Sequence, residues 1–203
     1  MNTSIRLYVA AIAVAAGVSL TLAGWSVPPD NAAGYWNALA AFAVLGFLSE
    51  ASYLRLRVGR GETNASVAFI PFIAAILLFD TGWAVAIAAV SELAVEFAVR
   101  KKPAIKIVFN VSQLILAVAV ASWVYKLLGG IESISRFDFN PIAIAGAVVA
   151  YFLVNSSAVS AAVAFGDQVP FQKAWARIGG PSLFYDFASS PLAALLAFLY
   201  VKW

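Results

Sequence analysis

Apolar residues run in long unbroken blocks along this chain, separated by short clusters of charge or by Pro and Gly. Seven blocks stand out: Leu7 to Trp25, Gly34 to Leu54, Ala65 to Phe79, Trp83 to Val99, Ala104 to Leu128, Pro141 to Phe165 and Ser182 to Val201. Strands of a membrane barrel alternate apolar and polar residues over about ten positions, and these blocks do not alternate. A helix satisfies its backbone polar groups within its own segment, as a lipid environment requires. The pattern therefore predicts an all-α polytopic transmembrane bundle with about seven crossings, one domain over residues 1–203. The third and fourth blocks are short, are joined only by Asp80-Thr81-Gly82, and carry Pro71 inside the third. They are expected to form a tilted or partly re-entrant hairpin.

Composition agrees with the pattern. The chain has 63% hydrophobic and 11% charged residues and a mean hydropathy of +0.90, whereas a soluble domain is about 25% charged. That excludes a water-soluble globule, and it excludes disorder, which needs the opposite bias. With 203 residues and about 20 per crossing, no room remains for a sizeable soluble domain. The first block follows Arg6 and is longer than the roughly 7 to 15 apolar residues of a signal-peptide core, so it is expected to stay as a helix. Asn-x-Ser/Thr sequons occur at Asn2, Asn64, Asn110 and Asn155, two of them inside apolar blocks, which favours chance occurrence.

Neither Cys nor His is present, so thiolate chemistry is impossible and the commonest general base and metal ligand is missing. No cofactor or metal is expected. A Ser nucleophile would need a base, and no motif links one to it; the chain does not read as an enzyme. The net charge of +3 is explained by basic cytoplasmic loops and not by nucleic acid.

Lys and Arg set the orientation. One side of a seven-helix arrangement collects ten: Arg6, Arg55, Arg57, Arg60, Arg100, Lys101, Lys102, Lys106, Lys173 and Arg177. The other side has Lys126, Arg136 and Lys202. This places the N-terminus in the cytoplasm. Trp25, Trp36, Trp83, Trp123 and Trp203 fall on the opposite, outer side and Trp175 on the inner, as interfacial tryptophans would. The cluster Arg100-Lys101-Lys102 with Lys106 attracts anionic lipid at about 1 kcal/mol per charge; as an orientation signal it needs no further role.

Polar residues inside the blocks then concentrate in the cytoplasmic half or near the midplane. They are Glu50, Glu92, Glu96, Asn110, Gln113, Asn155 with Ser156, Ser157 and Ser160, and Asp186. A carboxylate at a helix centre costs about 2.5 to 3.5 kcal/mol on insertion scales, so it must face protein or water. Glu92 and Glu96, four apart, share a face and are expected to point at Asn110 and Gln113 on the next helix. Amides donate to a carboxylate and accept from its protonated form. The candidate ligand-binding set is Glu92, Glu96, Asn110, Gln113 and Asn155, opening to the cytoplasm or closed at mid-membrane. A plainer account pairs Glu96 with Arg100, and Glu50 with Arg55 or Arg57, at the interface, and makes the amides interhelical glue.

The stretch "RKKPAIKIVFNVSQLILAVAVASWVYKLLGG", then "YFLVNSSAVSAAVAF", a loop with Trp175, and "SPLAALLAFLYV" resembles the multi-helix membrane sensory region ahead of HD-GYP and GGDEF output domains in bacterial cyclic-di-GMP signalling proteins. The likeness spans about Ser66 to Val201, with Phe109-Asn110 and Asn155 its distinctive positions. It implies a membrane input module with a cytoplasmic or membrane signalling partner. No HD or GGDEF motif accompanies it here, so the cyclic-di-GMP chemistry is not carried over. A weaker likeness, in "SVAFIPFIAAILLFDTGWAVAIAAVSELAVEF", is to the substrate-binding S components of energy-coupling-factor vitamin transporters, which implies uptake of a small molecule. Their pocket opens outward, whereas the polar residues here lie toward the cytoplasm. The function expected is a sensory or ligand-binding membrane module whose occupant is a small molecule, a lipid or a proton.

Overall fold

The computed structural model describes residues 3–27, 32–52, 54–58, 61–65 and 67–202. Its elements, in chain order, are α1 (Thr3–Leu22), α2 (Ala32–Ala51), β1 (Leu54–Val58), β2 (Gly61–Ala65), α3 (Phe69–Leu78), α4 (Thr81–Val95) with a π-helical turn (Glu96–Arg100), α5 (Ala104–Leu127), α6 (Pro141–Asp167) and α7 (Phe171–Lys202). The architecture is a helical bundle. Four helices, α1, α4 with its π turn, α5 and α6, are long and apolar enough to cross a membrane.

Several block ends shift by a few residues, and two boundaries meet a different structure from the one expected. The second block was expected to reach Leu54, but α2 stops at Ala51, and Leu54 opens an antiparallel hairpin registered Leu54 with Ala65 through Val58 with Gly61. Leu-Arg-Leu-Arg-Val carries the two-residue period of a strand, which a search for apolar blocks passes over. The seventh block was expected to begin at Ser182, after the breaker run Gly179-Gly180-Pro181. Instead α7 starts just after Pro170 and continues through Pro181 and Pro191. Packing against α6 and α3 outweighs the local cost, as tertiary context commonly does with propensity.

The third block is helical over only ten residues, about 15 Å at 1.5 Å per residue, or half a bilayer core. All of Phe69 to Leu78 except Ile70 is buried. A helix apolar on every side must be surrounded, and α3 is. It packs chiefly on α7, with α4, α5 and α2 completing the ring. In contrast α1 is the least buried of the four long apolar helices. It rests on α5 and α6, pinned where Tyr8 Oη donates to Ala158 O at 3.0 Å.

Helix ends follow local chemistry. Asn140 caps α6 by accepting from Ala143 N at 3.0 Å, its Nδ2 donates to Leu128 O at 3.2 Å, and Pro141 supplies the preset first-turn φ. At the end of α5, Gly129 takes φ +81°, which glycine adopts without a Cβ penalty. The turns at this end gather Trp25, Trp36 and Trp83, with Trp83 edge-on to both others at 5.1 Å. We call it the aromatic end, and the opposite one the basic end.

Candidate functional site

At the basic end, the last turns of α4 approach α2 and α5 closely. The α2 contact depends on Gly46: a Cβ there would lie 2.5 Å from Ser91 Oγ and 2.9 Å from Phe72 Cε1, while Ser91 Oγ itself donates to Ala43 O of α2 at 3.0 Å. One helical turn further, Glu50 meets Arg100. Gly46→Ala is therefore expected to destabilise by about 1 to 3 kcal/mol, the usual cost of overpacking. Thermal unfolding in detergent checks this, and Ser91→Ala, which removes the nearest atom, should recover part of the loss.

Glu92, Glu96 and Arg100 follow one another at four-residue intervals down α4 and its π turn. Arg100 is the hub. Its Nη2 pairs with Glu50 Oε2 at 2.6 Å and donates to Glu50 O at 3.0 Å. Its Nη1 reaches Glu92 Oε1 at 3.1 Å and Glu96 Oε1 at 3.2 Å. Glu96 Oε1 also accepts from Lys102 Nζ and from Asn110 Nδ2, each at 2.7 Å. One guanidinium thus ties three carboxylates on two helices, and Asn110 adds α5. The Glu96 side chain is wholly buried and that of Glu92 is 6% exposed. Three carboxylates face two cations in a low-dielectric setting, so one negative charge is left without a partner inside the cluster.

Glu92, Glu96 and Asn110, three of the five candidate residues, are therefore brought together. Gln113 and Asn155 do not hydrogen-bond to this cluster among the described residues. Gln113 Oε1 is buried and unpartnered, as are Ser156 Oγ, Ser160 Oγ and Asp186 Oδ2 on α6 and α7, and Asn155 is half-buried beside Ser156. Tyr151, on α6, is buried and edge-on to Phe69 at 5.4 Å. Glu96 pairs with Arg100 as the plainer account expected, and Glu50 also pairs with Arg100; the side chains of Arg55 and Arg57, the partners expected for Glu50, lie outside the described residues. Sequence reasoning treated Arg100 as an interfacial counter-ion. Its spacing from Glu92 and Glu96 was the available signal; its contact with Glu50, fifty residues away, had none.

A second polar layer lies at the aromatic end. Ser26 N and Oγ both donate to Asp80, Ser26 N at 3.0 Å. Thr81 Oγ1 and Ser122 Oγ share a hydrogen bond of 2.7 Å. Ser122 Oγ also bonds Glu132 Oε1 at 3.0 Å, and Lys126 Nζ stands 3.4 Å from Glu132 Oε2. Glu132 belongs to the α5–α6 loop, yet its side chain is 8% exposed. Burial pushes its carboxyl up to about 7, aided by the charge of Asp80 and opposed by Lys126 and the Ser122 bond. A cavity of about 670 Å³ opens between α6 and α7 and is lined mainly by apolar groups such as Phe137, Phe139, Phe187 and Phe198. Among the described residues, no group of three or more Asp or Glu is placed to hold a metal ion.

Compared with known proteins, residues 33–202 match the model of MASE9, a family of membrane-associated sensory domains. The match takes in α2 to α7, including the whole of the charge cluster, and leaves out the peripheral α1. No curated protein and no solved structure matches the chain.

Proposed function

This chain belongs to the MASE9 family of membrane-associated sensory domains, and from that premise we propose that it is a non-catalytic input module that reads its signal through the packing of α2, α4 and α5. The observation that carries this reading is the buried cluster of Glu50, Glu92, Glu96, Arg100, Lys102 and Asn110. Its members come from every one of these helices, and its unbalanced charge makes their packing depend on what enters. A proton, or a small ligand presenting a hydrogen-bond donor or positive charge, supplies the missing compensation and favours the arrangement that holds the carboxylates together. An effector shifts two states only by binding them differently, and a group that removes one uncompensated charge does so.

In this proposal the chain crosses a bacterial inner membrane about seven times, with its basic end cytoplasmic, and a cytoplasmic or membrane signalling partner docks on the basic loops. A thermal-shift screen of the purified protein against vitamins, quinones and lipids, across pH and repeated with Glu92→Gln, tests the reading. A ligand-dependent or pH-dependent shift that Glu92→Gln abolishes is expected. Absence of any ligand shift, together with unchanged pH behaviour in the variant, would identify the cluster as packing glue.

A further inference from the structure

On the lipid-facing side of the charge cluster, a pocket of about 570 Å³ lies between the end of α4 and the start of α5. Its walls are Leu93 and Phe97 on one side and Ile107 and Val108 on the other, Glu96 also lines it, and Lys101 and Lys102 close it at the basic end. Phe97 is 67% exposed and Val108 45%, so the wall is open on its outer side.

The backbone that shapes this pocket is irregular in two ways. Residues 96–100 form a π turn, closed where Lys101 N donates to Glu96 O at 2.8 Å; such turns are rare and recur at functional sites. Lys101 then takes φ +49°, a left-handed conformation that a side chain other than Gly, Asn or Asp adopts at a cost. A glycine would end this helix more cheaply. The residue that stands there instead carries an ammonium group at the pocket mouth.

Charge pairing separates the two lysines. Lys102 is bonded to Glu96, whose charge is thereby taken up by inner cations. Among the described residues no carboxylate pairs with Lys101, or with the exposed Lys106 one turn into α5. The pocket therefore combines an acyl-sized apolar wall with an unmatched positive charge at headgroup level.

We propose that this pocket is a binding site for an anionic phospholipid of the leaflet at the basic end. Lys101 holds the phosphate, Lys102 adds a second ammonium, and one acyl chain lies against Phe97, Leu93 and Val108. The occupant touches the π turn that carries Glu96 and Arg100, which gives the bilayer's composition a direct contact with the helix that organises the charge cluster.

Native mass spectrometry of the full chain in detergent, titrated with phosphatidylglycerol and with phosphatidylcholine of the same acyl chains, tests the site. Phosphatidylglycerol should be retained roughly fivefold more, the factor that about 1 kcal/mol per charge near a membrane surface provides. Lys101→Gly keeps a backbone conformation that glycine tolerates and removes the side chain with its ammonium, so it should abolish that preference with helix content unchanged. Phe97→Ala should weaken retention of both lipids. Inorganic phosphate should not displace the lipid. Equal retention of the two lipids by the unmodified chain, a preference that survives Lys101→Gly, or full displacement by phosphate would each overturn the assignment.

Discussion

Replacing Arg100 with Gln is expected to cost about 3 to 5 kcal/mol, the range found when one partner of a buried ion pair is removed, and to lower the unfolding temperature by on the order of 10 °C. The reason is the load on one side chain. Arg100 contacts Glu50, Glu92 and Glu96 simultaneously, and without it Lys102 is the only cation left within the cluster, against three carboxylates. Arg100→Lys keeps the charge but loses the fork that lets Nη2 serve Glu50 while Nη1 serves the α4 pair, so an intermediate loss is expected. Adding Glu92→Gln to Arg100→Gln removes one stranded charge and should recover part of the stability. Thermal melts in a single detergent, with Arg136→Gln as an exposed control, check the series. If Arg100→Gln melts with the control, water screens the cluster and it holds nothing together.

The second large effect is a pH dependence centred on Glu132. Folding raises its carboxyl from the ordinary 4.5 to about 7, so between these values the folded chain holds a proton that the unfolded chain has released. Stability attributable to this group is therefore greatest at low pH, declines as pH rises from about 4.5 through about 7, and is level above that. At about 1.4 kcal/mol per pH unit, the rise from 4.5 to about 7 spans about 3 to 4 kcal/mol. Glu132→Gln retains an oxygen for the Ser122 hydroxyl and cannot ionise. Relative to the unmodified protein it should be more stable at pH 8 and lose that advantage by pH 5. Comparing the two proteins at each pH isolates this group from the carboxylates at the basic end. A constant difference from pH 5 to 8 would mean that Glu132 stays ionised throughout.

Much of the helical content was legible in the apolar blocks, because a segment surrounded by lipid or by other helices must be apolar over its whole length. Block boundaries were less so. Gly179-Gly180-Pro181 reads as a break and is spanned by α7, and Leu54 reads as the end of a helix and begins a strand. In both places short-range preferences of a few kcal/mol or less compete with longer-range pairing that adjacent residues do not report. The site was legible by half. Glu92, Glu96 and Asn110 were identifiable because ionisable and amide groups in apolar blocks are expensive, and Glu92 and Glu96 converge because four residues make one helical turn. Gln113 and Asn155 satisfy the same criterion of cost and still stand apart from the charge cluster.

By itself, then, the sequence determined that the chain is a bundle of apolar helices with its basic residues gathered at one end and its few acids within the helices, since hydropathy and charge are properties of residues one at a time. Only the tertiary structure decided that α3 is half-length and enclosed, that Glu50 meets Arg100 across fifty residues, that Glu132 is buried although it lies in a loop, and that Lys101 turns left-handed over an open pocket. Each of these depends on which helices lie side by side. That arrangement comes from close approaches such as Gly46 against Ser91, whose few tenths of an ångström no composition or periodicity records.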